Sequence, residues 1–130
     1  MEHFAINVSK STVEETIKTY VAILAPLGIK EMVRLSGEMT GGKLVVGLGD
    51  KKPFFWLAGA DDKSTDGVHI AFQAGNRKQV DEFHAAAMEA GLKCNGPPGL
   101  RVHYHPNYYA AFVFDKVGNN IEAVFQEPVE

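Results

Sequence analysis

The chain has 130 residues, of which 45% are hydrophobic and 22% charged, and its 13 basic and 16 acidic side chains give a formal net charge of −3. These values are typical of one globular domain with its own core, and the lack of a basic stripe excludes nucleic acid and acidic membranes as expected partners. The only cysteine, Cys94, cannot form an intramolecular disulfide, and no signal peptide or membrane-spanning run is recognisable, so we expect a cytoplasmic protein.

The first half of the sequence predicts a strand, a helix and three further strands. The strand "HFAINV" spans 3–8, and apolar residues then recur at helical spacing over about 11–26. Ser11 and Glu14 have the spacing of a capping box at the start of this helix. Three segments of strand composition follow: "IKEMVRLSG" (29–37), "KLVVGLG" (43–49) and "PFFWLAG" (53–59).

The second half repeats this pattern after a polar linker, "ADDKSTD" (60–66). "HIAFQA" (69–74) predicts a strand, and Asn76 caps a helix predicted at about 77–90. Each half opens with a histidine on a strand, His3 or His69, and has a helix-ending glycine 25 or 22 residues later. The repeat predicts one α/β (α+β) domain, 1–130, made of two modules at about 1–59 and 67–130.

The rest of the second half carries a long polar and aromatic segment between strands. We predict a functional loop for "CNGPPGLRVHYHPN" (94–107), because a loop of this length in a compact domain usually serves a function. "YYAAFVFD" (108–115) and "NNIEAVFQ" (119–126) then predict strands, the second with Glu122 at its centre. A carboxylate buried in such an apolar strand requires a cation or hydrogen-bond donors.

Three residues of the repeat suggest a metal site. If the two modules pack with pseudo-two-fold symmetry, His3, His69 and Glu122 meet on one concave sheet. Two neutral imidazoles and one carboxylate suit a divalent metal and leave coordination positions open; Asn7 and Gln73 are candidates to orient the imidazoles. The alternatives are that His3 is merely exposed, that His69 is a core residue, or that Glu122 pairs with Arg101 or a lysine.

At these residues the sequence resembles the vicinal oxygen chelate superfamily, the glyoxalase/bleomycin-resistance/dioxygenase group. The similarity runs through "TYVAILAPLG", "GVHIAF", "GPPGLRVHYHPNYYAAFVFD" and "GNNIEAVF", and so covers nearly the whole chain. It implies two tandem βαβββ modules that form an eight-stranded cup-shaped sheet around a metal. It also implies that His3, His69 and Glu122 bind a divalent ion such as Zn, Ni, Mn or Fe.

Two departures from the glyoxalase pattern limit what the resemblance implies. Metal-bound glyoxalase I carries a second glutamate on the last strand of the first module, and Trp56 takes that place here. Without this ligand and base, glyoxalase I activity itself is not expected. The usual aspartate-proline-aspartate-glycine turn reads "DKVG", and we expect Gly118 to preserve the turn.

Proton transfer then needs another group, and the long second-half segment offers candidates. His105 and Tyr109 are our predicted catalytic residues, with His103 as a weaker candidate. We predict that the substrate-binding residues are Trp56, Phe54, Arg101 and Tyr104. The alternatives are that "HYHPNYY" closes the cup by aromatic packing and that Arg101 is solvated.

Three functions are compatible with these residues. The first is a metal-dependent lyase or isomerase acting on a small oxygenated metabolite. The second is an extradiol-type dioxygenase, and the third is a non-catalytic, resistance-type protein that sequesters a small molecule. Because open strand edges need covering, we also predict a homodimer.

Overall fold

A computed structural model of the protein describes residues 2–60 and 64–128. The chain divides into two compact units, Met1–Thr65 and Asp66–Glu130. Residues 61–63, in the predicted linker, lie outside the described residues. Each unit is one repeat of the strand–helix–strands pattern, and each is described below by itself.

The first module forms a four-stranded sheet with one helix. Its sheet has the order β1-β4-β3-β2, with β1 parallel to β4 and the other neighbouring strands antiparallel. Two 3₁₀ turns, Ala25–Leu27 and Glu38–Thr40, lie in its connections. The elements are β1 Phe4–Ser9, α1 Val13–Leu24, β2 Lys30–Leu35, β3 Val45–Gly49 and β4 Pro53–Ala60.

The second module repeats this topology. Its sheet has the order β5-β8-β7-β6, with β5 parallel to β8. The elements are β5 His69–Gln73, α2 Arg77–Glu89, β6 Lys93–Leu100, β7 Tyr109–Phe114 and β8 Asn120–Phe125. The predicted fold class of two tandem βαβββ modules is therefore confirmed.

Each module buries the apolar stripe of its helix against one face of its sheet. In the first module, Tyr20 of α1 packs edge-on against Phe55 of β4, with ring centroids 5.2 Å apart. In the second, Val80 and Phe83 of α2 are fully buried, as are Val113 and other residues of β7 and β8. Burial of each such side chain contributes about 1.5–3 kcal/mol. No helix in the described residues has the length and hydrophobicity to cross a membrane.

The two helices begin differently. The predicted cap of α2 is confirmed, because the Asn76 side chain accepts a hydrogen bond from the Gln79 amide at 2.8 Å. The capping box predicted for α1 is wrong: Thr12 is the N-cap residue, and it makes no side-chain cap hydrogen bond. Glu14 instead accepts from the Arg34 guanidinium at 3.0 Å, so its carboxylate points to β2 and not back to the start of the helix.

The segment 94–107, predicted as a loop, is a strand in its first half. Lys93–Leu100 forms β6 at the edge of the sheet, where the two prolines, Pro97 and Pro98, are tolerated because an edge strand pairs on one side only. Register shifts around Gly96 accommodate them. The true loop is shorter and is closed by the Arg101 amide, which donates to the Tyr108 carbonyl at 2.7 Å.

Candidate functional site

Strand pairing shows that Trp56 and Glu122 occupy equivalent places in the repeat. On the parallel pair of the first module, Trp56 lies opposite Ala5; on that of the second module, Glu122 lies opposite Ala71. The two alanines are each two residues after the histidine that opens the half. Trp56 and Glu122 are therefore counterparts in the two modules.

Glu122 is a buried carboxylate with a donor at each oxygen. Its side chain is 1% exposed. The Tyr108 hydroxyl donates to Oε2, and the His69 Nε2 atom lies 2.7 Å from Oε1. Burial of the phenol, and then the hydrogen bond and negative charge of Glu122, raise the pKa of Tyr108 above its ordinary value. Tyr108 therefore stays protonated at neutral pH and serves as a fixed donor to the carboxylate.

Part of the predicted metal set is present in this one module. An imidazole nitrogen and a carboxylate oxygen, 2.7 Å apart, are donors that divalent transition metals accept. The His69 side chain is 53% exposed, so its ring borders solvent and Glu122 lies behind it. Within the described residues, no group of three His, Cys, Asp or Glu side chains comes together. His69 and Glu122 are therefore the two members of the predicted set that the second module brings together.

The third predicted ligand, His3, belongs to the first module. It is exposed just before β1, and its Nδ1 atom lies 2.7 Å from Oε1 of Glu2. The second oxygen of Glu2 accepts from Lys52 Nζ, also at 2.7 Å. The observed partner of this imidazole is thus Glu2 and not Asn7; the backbone N–H of Asn7 donates to the Thr65 hydroxyl at 2.9 Å.

A cleft of about 400 Å³ opens beside His69. The Arg101 guanidinium lines it, donates to the carbonyls of Gly99 and Pro97 at 2.8 and 2.7 Å, and lies over the Phe112 ring. Arg101 therefore does not pair with Glu122, which excludes one of the alternatives raised by the sequence. The cleft is lined by His69, Asn95, Gly96, Arg101, His103, Tyr104, Phe112 and Asn120.

The structure places the two predicted catalytic residues away from Glu122. Tyr109 lies on the helix side of β7, where its hydroxyl donates to Asp81 at 2.6 Å. This hydrogen bond, and then burial, raise the pKa of Tyr109. His105 is exposed, and its Nδ1 accepts from the Asn107 amide at 3.0 Å. Neither side chain contacts the carboxylate, whereas Tyr108 does.

Sequence reasoning missed Tyr108 because two tyrosines are adjacent. In the antiparallel β7–β8 pair, Phe112 lies opposite Glu122. Side chains alternate along a strand, so residues 110 and 108 share the face of Phe112, and Tyr109 takes the other face. The segment "YYAAFVF" is apolar on both faces and does not reveal this phase by itself.

The predicted substrate-binding residues are divided between the modules. Trp56 and Phe54 share one face of β4 by alternation, and Trp56 lies across Gly47 of β3. Tyr104, on the loop of the second module, is 63% exposed and packs edge-on against Tyr108 at 5.1 Å. Arg101 and Tyr104 line the same cleft as His69.

Comparison with known proteins identifies the fold. No protein-family model matches the sequence, and no curated protein matches it. Among solved structures, a glyoxalase/bleomycin resistance protein from Albidiferax ferrireducens T118 is 26% identical, with a TM-score of 0.67 over 95% of this chain and 96% of that one. A glyoxylase/bleomycin resistance protein/dioxygenase domain from Frankia sp. EAN1pec is 18% identical, with a TM-score of 0.73 over 98% and 97% of the two chains.

A third similar structure is a mutant of the fosfomycin resistance protein FosX from Listeria monocytogenes, complexed with Mn(II) and 1S,2S-dihydroxypropylphosphonic acid. It is 14% identical, with a TM-score of 0.63, covering 95% of this chain and 90% of that chain. The fold is that of the vicinal oxygen chelate superfamily, and the resemblance predicted from the sequence is confirmed.

Proposed function

We propose that the protein is a divalent-metal-dependent lyase or isomerase that acts on a small oxygenated metabolite. The observation that carries the proposal is the pair of His69 and Glu122, 2.7 Å apart, with the carboxylate buried and the imidazole at the border of an open cleft. A buried carboxylate is costly unless it is paired, and a metal ion would provide a full positive charge for it. A similar fold, FosX, is complexed with Mn(II).

In this proposal His69 and Glu122 bind the metal, which is Zn, Ni, Mn or Fe, and His3 supplies the third donor. The contact with Glu2 is compatible with this role, because a carboxylate at Nδ1 of His3 fixes the tautomer in which Nε2 can bind a metal. When bound, the metal would act as a Lewis acid that stabilises negative charge on substrate oxygens. Trp56 replaces the fourth ligand of glyoxalase I, so the reaction would differ from that of glyoxalase I.

The remaining side chains would orient the substrate and move protons. Tyr108 holds the Glu122 carboxylate in place through its hydroxyl. Arg101 and Tyr104 line the cleft and would contact the substrate. Trp56 and Phe54 of the first module are further candidates for substrate contact. His105 remains the candidate base on the loop, and Tyr109 becomes the weaker candidate because its hydroxyl is engaged by Asp81.

Two observations favour a second function, the sequestering of a small molecule without turnover. Both oxygens of Glu122 already have hydrogen-bond partners, so the carboxylate is satisfied without a metal. The rings of His103, Tyr104 and Tyr108 also form a cluster, with centroid distances of 4.2 and 5.1 Å. Such a cluster would stack on a flat ligand.

Elemental analysis of the purified protein, followed by titration of the metal-free form with Zn, Ni, Mn and Fe(II), tests the main proposal. We expect one metal per chain in the wild type and loss of tight binding in His69→Ala. His84→Ala is the matched control, since His84 contacts Cys94 at 3.1 Å and not Glu122. Equal metal affinity in His69→Ala and the wild type would contradict the proposal.

The same preparations separate the three functions. A bound colourless metal without oxygen uptake supports the lyase or isomerase, whereas bound Fe(II) with oxygen uptake on catechols identifies a dioxygenase. Failure to retain any metal, together with tight binding of an aromatic compound, identifies the sequestering protein.

A further inference from the structure

We infer that Arg101 is the anion-binding residue of the cleft, and that the natural ligand is a small molecule with a carboxylate, phosphonate or phosphate group. The inference rests on the proposed function only in placing the ligand beside His69. It assigns a chemical class to a substrate that the metal site alone leaves undefined.

The Arg101 guanidinium is held in one position. One terminal nitrogen donates to the Gly99 carbonyl at 2.8 Å, and the other donates to the Pro97 carbonyl at 2.7 Å. Its carbon lies 5.4 Å from the centroid of the Phe112 ring, at cation–π distance. A guanidinium fixed in this way loses little conformational entropy when it binds a ligand.

This cation has no acidic partner in the part of the chain that the structure describes. Arg34, in contrast, pairs with both Glu14 and Glu31, at 3.0 and 2.7 Å. No aspartate or glutamate lines the cleft around Arg101; its other polar residues are two asparagines, two histidines and one tyrosine. A fixed arginine in a cleft that lacks acidic side chains favours a ligand that brings its own negative charge.

The strand beside Arg101 leaves room for this arrangement. A Cβ atom at Gly96 would come within 3.0 Å of both an Arg101 nitrogen and the Phe112 ring, so the glycine lets the guanidinium lie flat against β6. The cleft of about 400 Å³ has the size of a small-metabolite site. His69 lines the same cleft, so an oxyanion at Arg101 and a reacting group near His69 can belong to one small molecule.

Phenylphosphonate is a suitable probe, because it combines an oxyanion with a ring, and benzyl alcohol is its neutral counterpart. Binding is measured by calorimetry on chelator-treated protein, so that a metal cannot hold the phosphonate. We expect the wild type to bind phenylphosphonate more tightly than benzyl alcohol. Arg101→Gln should weaken phenylphosphonate binding by about tenfold or more, as expected for a lost charge-assisted hydrogen-bond pair.

Two further variants guard against a trivial explanation. Arg101→Lys keeps the charge but loses the two-pronged geometry, so its affinity should lie between those of the wild type and Arg101→Gln. Lys93→Gln removes an exposed charge from β6, the strand that precedes Arg101, outside the cleft, and should leave affinity unchanged. Near-ultraviolet circular dichroism verifies that each variant keeps the native fold.

Three results would overturn the inference: no measurable binding of phenylphosphonate to the wild type, equal affinity in Arg101→Gln, or equally tight binding of benzyl alcohol. The test is independent of the metal proposal. If the protein binds no metal but Arg101→Gln loses anion binding, this inference stands and the proposal of a metal-dependent enzyme is rejected. If the protein binds metal tightly but anion binding does not depend on Arg101, the metal proposal stands and this inference is rejected.

Discussion

Trp56 and Glu122 occupy equivalent positions in two modules of the same topology, yet one is an apolar indole and the other a carboxylate. Each residue is on the last strand of its module in chain order, opposite an alanine of the parallel neighbour. Trp56 is half-buried and faces Gly47, whereas Glu122 is buried with Tyr108 and His69 at its oxygens. The comparison shows that the repeated fold positions a side chain, and that its neighbours determine what that side chain can do.

The residues around Trp56 and Glu122 differ, because an indole and a buried carboxylate need different surroundings. An indole needs space across the strand, and the pairing partner of Trp56 on β3 is a glycine. A buried carboxylate needs donors, and Glu122 has Tyr108, just before the antiparallel strand β7, and His69 on the parallel strand β5. Each module is therefore locally consistent, and a change at one position without its neighbours should be unfavourable.

The largest expected effect is a difference in metal affinity between a substitution at Glu122 and one at Trp56. Glu122→Gln keeps the size of the side chain but removes its charge, so it should weaken metal binding by more than about 100-fold, beyond the loss typical of a residue that only supports a ligand. Trp56→Phe should change the affinity little, because an aromatic side chain donates nothing to a metal. Calorimetric titration of both variants measures this, and similar losses in both would contradict the assignment.

The sequence predicted those elements of the fold that have a clear local pattern of apolar and polar residues. The repeat and the burial of Glu122 were predictable, because Glu122 is the single charged residue of an otherwise largely apolar strand and its side chain is indeed buried. The strand β6 was missed because Pro97 and Pro98 indicate a loop unless the strand is known to be at an edge. Edge position depends on tertiary pairing, which the local sequence does not contain.

The candidate site was predictable only in part, for a similar reason. The sequence predicted that His69 and Glu122 lie close together, and their side chains are indeed 2.7 Å apart. Tyr108 was not distinguished from Tyr109, because the face of each depends on the pairing of Phe112 with Glu122 and hence on the phase of β7. The capping box predicted for α1 failed because the helix begins one residue later than that box requires, with Thr12 and not Ser11 as the N-cap.

The next effect concerns the stability of the second module. Tyr108→Phe leaves one oxygen of a buried carboxylate without its donor, so we expect a loss of about 1.5–3 kcal/mol in the free energy of unfolding. Tyr104→Phe is the control, since that hydroxyl is on an exposed side chain. Urea unfolding of both variants at pH 7 decides the matter; equal midpoints would mean that the Tyr108 contact contributes nothing.

The same contact predicts a dependence on alkaline pH. The pKa of Tyr108 is raised by burial and by Glu122, so the folded state holds this proton more tightly than the unfolded state does. The stabilisation is fully present below the ordinary tyrosine pKa of about 10 and is lost as the pH rises above it toward the folded-state value. Unfolding midpoints measured through this range should fall more steeply for the wild type than for Tyr108→Phe.

A smaller effect tests the space that Trp56 requires in the first module. A Cβ atom at Gly47 would come within 2.8 Å of the Trp56 ring and 2.9 Å of Pro53 Cβ. Gly47→Ala should therefore reduce stability by about 1–3 kcal/mol, the usual cost of overpacking. Thermal unfolding measures this change. The cost should shrink when Gly47→Ala is combined with Trp56→Ala, and an unchanged cost in the double variant would mean that the indole is not the obstacle.

The smallest effect compares the two helix starts. Asn76 accepts the Gln79 amide at 2.8 Å, whereas Thr12 caps α1 without a side-chain hydrogen bond to the helix. Asn76→Ala should therefore cost about 1 kcal/mol, the usual value of a lost N-cap. Thr12→Ala should cost clearly less, because the Thr12 hydroxyl bonds back to the Ser9 carbonyl at 3.3 Å and leaves the helix amides to other partners. Urea unfolding of the two variants measures the difference. Equal losses would show that the first helix depends on its cap as much as the second, and that the modules differ in their site chemistry alone.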